Sequence, residues 1–311
     1  MKLLITGADG FVGRWLVRAA RNDGHDVVAA VLPGATVPTE WHDEGAVVSV
    51  MEADILDASH LDRIAATRPD AVVHLAAVAS GSAARRDPDA AMRVNAVASA
   101  DLVAAVGHHG SGPRFLHVST GEVYGGGHTG MIAEDAPLNP ASPYAASKAT
   151  AEESVLARAR TANVDVVIAR PFPHTGPGQA DTYVLPALAN RLIEARRTGE
   201  GAIRTGNLDP VRDFLDVRDV VGAYLLLLEH GVSGEAYNVA SGVGRQLSEC
   251  FSRLAELVDV AATAEQDAAL LRPGDIAVLI GNPAKLHAAT GWSPRIPFDR
   301  TLQDLVDAQA H

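Results

Sequence analysis

Cysteine is nearly absent: Cys250 is the only one in 311 residues. No disulfide can close within the chain and no thiolate cluster can hold zinc, a usage that fits a reducing compartment and leaves Cys250 a packing role. Positive charge is scarce as well. Lys and Arg number 26 against 38 Asp and Glu, a formal net charge of -12. That balance lacks the basic field that recruits nucleic acid or an anionic membrane, although local groups can still hold a small anion. No stretch approaches the about eighteen uninterrupted apolar residues of a membrane span. Met1-Lys2 opens directly on Leu3-Leu4-Ile5, which is too short for the apolar region of a signal peptide. A cytoplasmic protein without a membrane partner is the expectation. Repeats, heptads and low-complexity tracts are also missing.

Apolar residues are abundant, at 47%, which is enough to bury the core of one large domain or of two interleaved lobes. Within this material the stretch Ser142-Pro143-Tyr144-Ala145-Ala146-Ser147-Lys148 stands out. Ser142 is a good helix N-cap and Pro143 a good first helical residue, so Tyr144 falls in the first turn with Lys148 one turn further along the same face. A phenol alone titrates at about 10, and a neighbouring ammonium favours its ionised form, so the pair is a candidate acid/base couple. Taken alone, Tyr-x-x-x-Lys also describes an ordinary surface helix turn; a dinucleotide site elsewhere gives it weight.

The N-terminus supplies such a site. Leu3-Leu4-Ile5-Thr6 reads as a buried strand that runs into Gly7-Ala8-Asp9-Gly10-Phe11-Val12-Gly13, and Arg14 to Asn22 has helical periodicity. Glycines three apart let the chain turn sharply, let a pyrophosphate approach the backbone of Gly7, Gly10, Phe11, Val12 and Gly13, and let the helix pack close to the strand. Val27 to Val31 reads as the second strand. An acid at its end would bind the adenosine ribose and an arginine would accept a 2′-phosphate, but the chain offers Val31-Leu32-Pro33-Gly34, which chooses neither NAD nor NADP. After a third strand, Val47 to Met51, Asp54 and Ile55 are candidates for the adenine edge, and Asp57 reads as a helix cap. Ala71 to Ala77 is a buried strand ending at Leu75-Ala76-Ala77, where small side chains leave room for a coenzyme; His74 inside it reads as a satisfied core histidine. Phe115 to Thr120 is the next strand and ends in hydroxyls, so Thr120 is a candidate partner for a substrate oxygen. Glu122 is either a crevice carboxylate or a solvated loop acid.

Gly7, Gly10 and Gly13, then Leu75-Ala76-Ala77, Ser119-Thr120-Gly121-Glu122-Val123-Tyr124-Gly125, and Tyr144 with Lys148 follow in one order and spacing. Together they resemble the extended short-chain dehydrogenases that act on nucleotide sugars. The segments Arg170 to Gln179 and Arg212 to Val220 look most like the GDP-mannose branch, which contains 4,6-dehydratases and GDP-4-keto-6-deoxy-mannose reductases. The short length and the tail Leu286 to Pro294 are more similar to the reductases. The resemblance implies an α/β fold with a doubly wound parallel sheet of the Rossmann type. Residues 1–170 and a returning 211–240 would form the NAD(P) domain, with 171–210 and 241–311 as a substrate lobe. It also implies that Tyr144 is the acid/base, that Lys148 tunes it and binds the nicotinamide ribose, and that Thr120 bonds the reacting oxygen. Glu122 matches the carboxylate a dehydratase needs. His174, Arg212 and Arg272 would contact the substrate, Arg212 at its pyrophosphate; an exposed Arg212 paired with Asp209 or Asp213 is the alternative. Relatives carry Asn where this chain has Pro173, which can donate nothing, and Asn282 stands where an Asp is commoner.

In the second half, Ala162 to Ile168 reads as a strand following the Tyr144 helix, whose outer face would carry Glu152, Glu153, Arg158 and Arg160. By resemblance that helix packs against a partner subunit, so a homodimer is implied. Val220 to Leu228 and Leu247 to Val258 read as helices, Ala236 to Val239 as a strand, and Trp292 as a packing residue. The combined expectation is an NAD(P)-dependent nucleotide-sugar oxidoreductase that reduces a GDP-4-keto-6-deoxyhexose. Its rivals are a 4,6-dehydratase or epimerase that keeps its coenzyme through the cycle, and a dinucleotide-binding sensor with no turnover.

Overall fold

In the computed structural model, which describes residues 1–41, 48–107, 112–271 and 274–310, the first half alternates strands and helices. In order these are β1 (Lys2–Thr6), α1 (Phe11–Asn22), β2 (Asp26–Val31), β3 (Val48–Glu52), α2 (Ala58–Ala66) and β4 (Ala71–His74). The chain continues through α3 (Gly81–Arg86), α4 (Pro88–Met92), a wide helical turn over Arg93–Ala98 and α5 (Ser99–Gly107) to β5 (Arg114–Val118), α6 (Pro143–Ala162) and β6 (Asp165–Pro171). The second half holds β7 (His174–Thr175), α7 (Val184–Thr198), β8 (Ala202–Thr205), β9 (Val211–Asp213), β10 (Leu215–Asp216), α8 (Val217–His230) and β11 (Ala236–Val239). Last come β12 (Gly244–Gln246), α9 (Leu247–Val258), β13 (Thr263–Gln266), β14 (Val278–Leu279), α10 (Ala284–Thr290) and α11 (Phe298–Gln309).

Seven strands form one sheet in the order β11-β6-β5-β4-β1-β2-β3, and every pairing in it is parallel. Parallel strands need covered faces, and alternation along each strand sorts side chains to the two sides. Leu3 and Ile5 enter one apolar layer with Leu16 and Val17 of α1 and Val220 and Tyr224 of α8. Leu4 enters the opposite layer with Ile64 of α2, Leu102 of α5 and Val155 of α6. Strand order reverses between β1 and β4, which opens a crevice at their C-terminal ends, where this architecture takes ligands.

A separate apolar cluster joins α7, α9 and α11 through Leu188, Leu192, Phe251, Leu254, Leu302 and Leu305, and Cys250 is packed within it. Within segment 211–216, β9 pairs with β12 and β14, and β10 with β7. The chain rejoins the large sheet only through α8 and β11. The strand expected from Ala162 starts later, because α6 runs to Ala162 and stops at Asn163 in the left-handed conformation, φ 53°.

Candidate active site

Ser142 Oγ accepts the Ala145 N–H at 3.1 Å and Pro143 opens α6, so the cap and first turn form as the sequence dictates. Lys148, 4% exposed, turns inward and donates from Nζ to the carbonyl oxygen of Val118 at 2.8 Å. Two residues beyond the end of β5, the Thr120 hydroxyl accepts the Glu122 N–H at 3.2 Å and shares a side-chain hydrogen bond with Tyr144. The fold thus gathers Thr120, Glu122, Tyr144 and Lys148 at the C-terminal end of one central strand.

The charge balance differs from the sequence expectation. Lys148 does not draw the phenol of Tyr144 towards ionisation. Poor solvation raises its pKa, the Glu122 carboxylate and Tyr183 raise it further, and the Thr120 bond offsets only part. Lys148 moves the other way, to about 8, because burial disfavours its ammonium while Glu152 partly restores it. At neutral pH the site therefore presents a protonated phenol, which is a proton donor, beside an ammonium.

The glycine turn lies across the crevice. Gly7 has φ +65°, and a Cβ there would stand 2.8 Å from the Ala76 nitrogen. A Cβ on Gly13 would drive into the Gly7 carbonyl oxygen and lie 2.6 Å from that of Ala8. No side chain caps α1 at Gly10, so the leading N–H groups of Phe11, Val12 and Gly13 remain for an anion, as a dinucleotide pyrophosphate requires. Leu75 N–H donates to the Thr6 carbonyl at 3.2 Å and Ala76 N–H to Thr6 Oγ1 at 3.2 Å, fixing the start of Leu75-Ala76-Ala77 beside the turn. The residues present therefore fit an adenine dinucleotide. Asp54 accepts the Leu56 N–H at 2.9 Å and Ile55 is buried, while Asp57 caps α2 through the Ser59 and His60 N–H groups, as its sequence position implies.

Other expected site residues occupy different surroundings. His174 stacks on Phe11, with ring centroids 6.4 Å apart and planes 8° from parallel, and its Nδ1 donates to the Phe172 carbonyl at 2.9 Å. It therefore borders the glycine turn. Among the described residues Arg212 is seen to pair with Asp275, at 2.6 Å, rather than with Asp209 or Asp213. Arg272 lies outside the described residues. Glu152, placed on the outer face of α6 by the sequence, is 4% exposed and pairs with Arg170 at 2.7 Å. Glu153, Arg158 and Arg160 do face outward.

Two neighbours escaped the sequence reading. Asn95, fully buried in the wide turn, accepts the Val78 N–H at 2.7 Å and donates to Ser147 Oγ at 2.9 Å; that hydroxyl donates to the Tyr144 carbonyl at 2.8 Å. An uncharged amide among the Ala and Val residues of 94–98 was the available signal. Tyr183, which precedes α7, feels the Glu122 charge, and nothing in its local pattern marks it. His74 is the satisfied core histidine that was expected: its Nδ1 meets Thr6 Oγ1 at 2.7 Å and its Nε2 meets Ser99 Oγ at 2.8 Å. Ser99 donates to the Asn95 carbonyl at 2.6 Å. His74 Nε2 must therefore carry the proton, and Nδ1 must accept from Thr6.

Comparison with known proteins follows the same outline. GDP-6-deoxy-D-mannose reductase of Pseudomonas aeruginosa is 34% identical, over 98% of this chain and 96% of its own. dTDP-glucose 4,6-dehydratase of Streptomyces niveus is 30% identical over 99% of this chain and 92% of its own. The solved structure of RMD from Pseudomonas aeruginosa complexed with NADPH superimposes with a TM-score of 0.83 at 32% identity, covering 99% of this chain and 98% of that one. Residues 3–240 match the model of the NAD dependent epimerase/dehydratase family. From the glycine turn of β1 to the strand that closes the sheet at β11, this chain is a member of the NAD-dependent epimerase/dehydratase family.

Proposed function

We propose that this chain is an NAD(P)-dependent nucleotide-sugar oxidoreductase that reduces the C4 ketone of a GDP-4-keto-6-deoxyhexose. The observation that carries the reading is geometric: the capped first turn of α6 brings Tyr144 beside Thr120, and Lys148 is tied to the Val118 carbonyl at 2.8 Å, all at the end of β5. The 34% identity to a GDP-6-deoxy-D-mannose reductase over nearly the whole chain supports the choice of substrate.

The N–H groups at the start of α1 hold the coenzyme pyrophosphate, and Leu75-Ala76-Ala77 line its path toward the sugar. When bound, the reduced nicotinamide supplies a hydride to the carbonyl carbon. Thr120 hydrogen-bonds the carbonyl oxygen and orients it. As that carbon gains the hydride, its oxygen gains negative charge, and Tyr144 donates the phenolic proton to it, giving the alcohol. Lys148 supplies positive charge beside the resulting phenolate and a donor for the nicotinamide ribose. His174, against Phe11, belongs to the coenzyme side of this arrangement. Arg212 offers its fork to the substrate pyrophosphate, sharing it with Asp275. Segments 171–210 and 241–311 form the substrate lobe in this reading.

Glu122 favours a second reading, a 4,6-dehydratase, because its carboxylate belongs to the same crevice as Tyr144, whose phenol feels its charge, and a dehydratase needs a carboxylate to take the proton next to the ketone. The purified protein decides between them. Net oxidation of NADPH or NADH with a GDP-4-keto-6-deoxyhexose supports the reductase, formation of a keto-sugar from GDP-mannose without net oxidation supports the dehydratase, and coenzyme binding without any turnover supports the sensor. A cytoplasmic homodimer completes the proposal. Val97, 54% exposed, and the Asp101–Arg158 pair at 3.8 Å lie on the outer surfaces of the 93–107 helix and α6, which would meet the partner. Sedimentation equilibrium tests it.

A further inference from the structure

Arg14, the fourth residue of α1, reaches back over the glycine turn. Its Nε donates to the Asp9 carbonyl at 2.8 Å and its Nη2 to the Thr36 carbonyl at 3.2 Å, so the guanidinium bridges the turn after β1 and the segment after β2. A guanidinium has five N–H donors. Those two bonds leave the Nη1 pair and one Nη2 hydrogen available on an exposed side chain.

The surroundings suit an anion. β2 ends at Val31, apolar and 2% exposed, so its terminal position has no carboxylate to bind the ribose 2′-hydroxyl or to repel a phosphate on it. Arg18 and Arg21 follow Arg14 at helical spacing, and all three line a cavity of about 830 Å³ whose other wall includes Thr36 and Trp41. Glu40 is the only carboxylate among the described residues lining it. Two acids lie nearby. Glu52 accepts the Gly34 N–H at 3.2 Å, and Asp9 sits in the turn itself, where Arg14 holds its carbonyl.

We propose that Arg14 takes the 2′-phosphate of the adenine dinucleotide and makes NADPH the preferred coenzyme. The proposal rests on the reading of the glycine turn as a coenzyme site and adds which coenzyme that site selects. Two backbone carbonyls pre-orient the fork, so little side-chain freedom is lost when its remaining donors meet the phosphate oxygens.

Isothermal titration of the full chain with NADPH, NADH, 2′,5′-ADP and 5′-ADP tests this without turnover. The wild type should bind NADPH at least about tenfold tighter than NADH, as expected for one charge-assisted contact. Arg14→Ala should weaken NADPH and 2′,5′-ADP by about tenfold and NADH by less than about twofold, with Arg14→Lys between them, since a lysine keeps the charge without the fork. Equal binding of both coenzymes, a preference for NADH, or an equal loss for all four ligands in Arg14→Ala would overturn the assignment while leaving the coenzyme site standing. A wild type that binds neither coenzyme would remove both.

Discussion

Lys148 donates from Nζ to the main-chain oxygen of Val118, the last residue of β5, at 2.8 Å. One bond thus ties the helix that carries Tyr144 to the strand that leads into Thr120. Burial lowers the Lys148 pKa to about 8, so the ammonium is intact below that value and lost above it, well before a solvated lysine would lose it. If the charge is needed, kcat/KM falls on the alkaline side with a limb centred near pH 8. Lys148→Arg, charged throughout, should react more slowly but without that limb. A profile flat from neutrality to beyond the ordinary lysine range would show that the ammonium is not required.

Removing the phenolic oxygen should remove the proton and little else. Tyr144→Phe is expected to lower kcat by roughly 10²- to 10⁴-fold, the usual worth of a positioned general acid, with the coenzyme dissociation constant within about twofold of wild type. Ketone reduction by this variant at the wild-type rate would take Tyr144 out of the mechanism.

Glu122 separates the two enzyme readings. In a reductase Glu122→Gln removes a carboxylate whose charge adds to the rise of the phenol pKa and which takes no proton from the sugar, so ketone reduction should fall by no more than a few-fold (~1 kcal/mol in the barrier). A dehydratase would lose its elimination step by the roughly 10²-fold or more that a catalytic base supplies. Product analysis of the variant with GDP-mannose and with the keto-sugar distinguishes the outcomes.

The Arg170–Glu152 pair is a structural matter with a functional echo. Arg170 also donates to the Tyr124 hydroxyl at 2.8 Å and to the Glu134 carbonyl at 3.2 Å. Glu152→Gln leaves a buried guanidinium without its counter-charge and should cost roughly 3–5 kcal/mol, read as a lower denaturant midpoint at unchanged slope. Because Glu152 also raises the Lys148 pKa, the alkaline limb should move to lower pH in this variant. An unaltered midpoint would contradict the burial of the pair.

The parts of this site legible in the sequence are the local ones. A strand running into spaced glycines, and a Ser-Pro cap that sets Tyr144 one turn ahead of Lys148, each fix their geometry within a few residues, and the structure keeps both. Contacts between distant segments were not legible. His174 meets Phe11 only after the second half folds back over the first, and Arg212 meets Asp275 only where β9 and β14 of the second half pair; nothing near either residue in the chain announces its partner. Glu152 has the composition of a solvated helix face; Arg170 on the neighbouring strand draws it inside. The Tyr144 phenol shows how burial reverses a pairwise argument. Charge proximity alone favours phenolate, but desolvation and Glu122 decide the sign. Asn95 was hidden because its importance lies in a wide turn that no propensity marks.

Transfer of an isotopic label tests the central claim most directly. With NADPH or NADH carrying deuterium at the transferable nicotinamide position and a GDP-4-keto-6-deoxyhexose as substrate, the wild type should place deuterium on C4 of the product sugar, and Tyr144→Phe should place almost none there in the same time. Wild-type product without deuterium at C4, or no product at all, would contradict hydride reduction at this site.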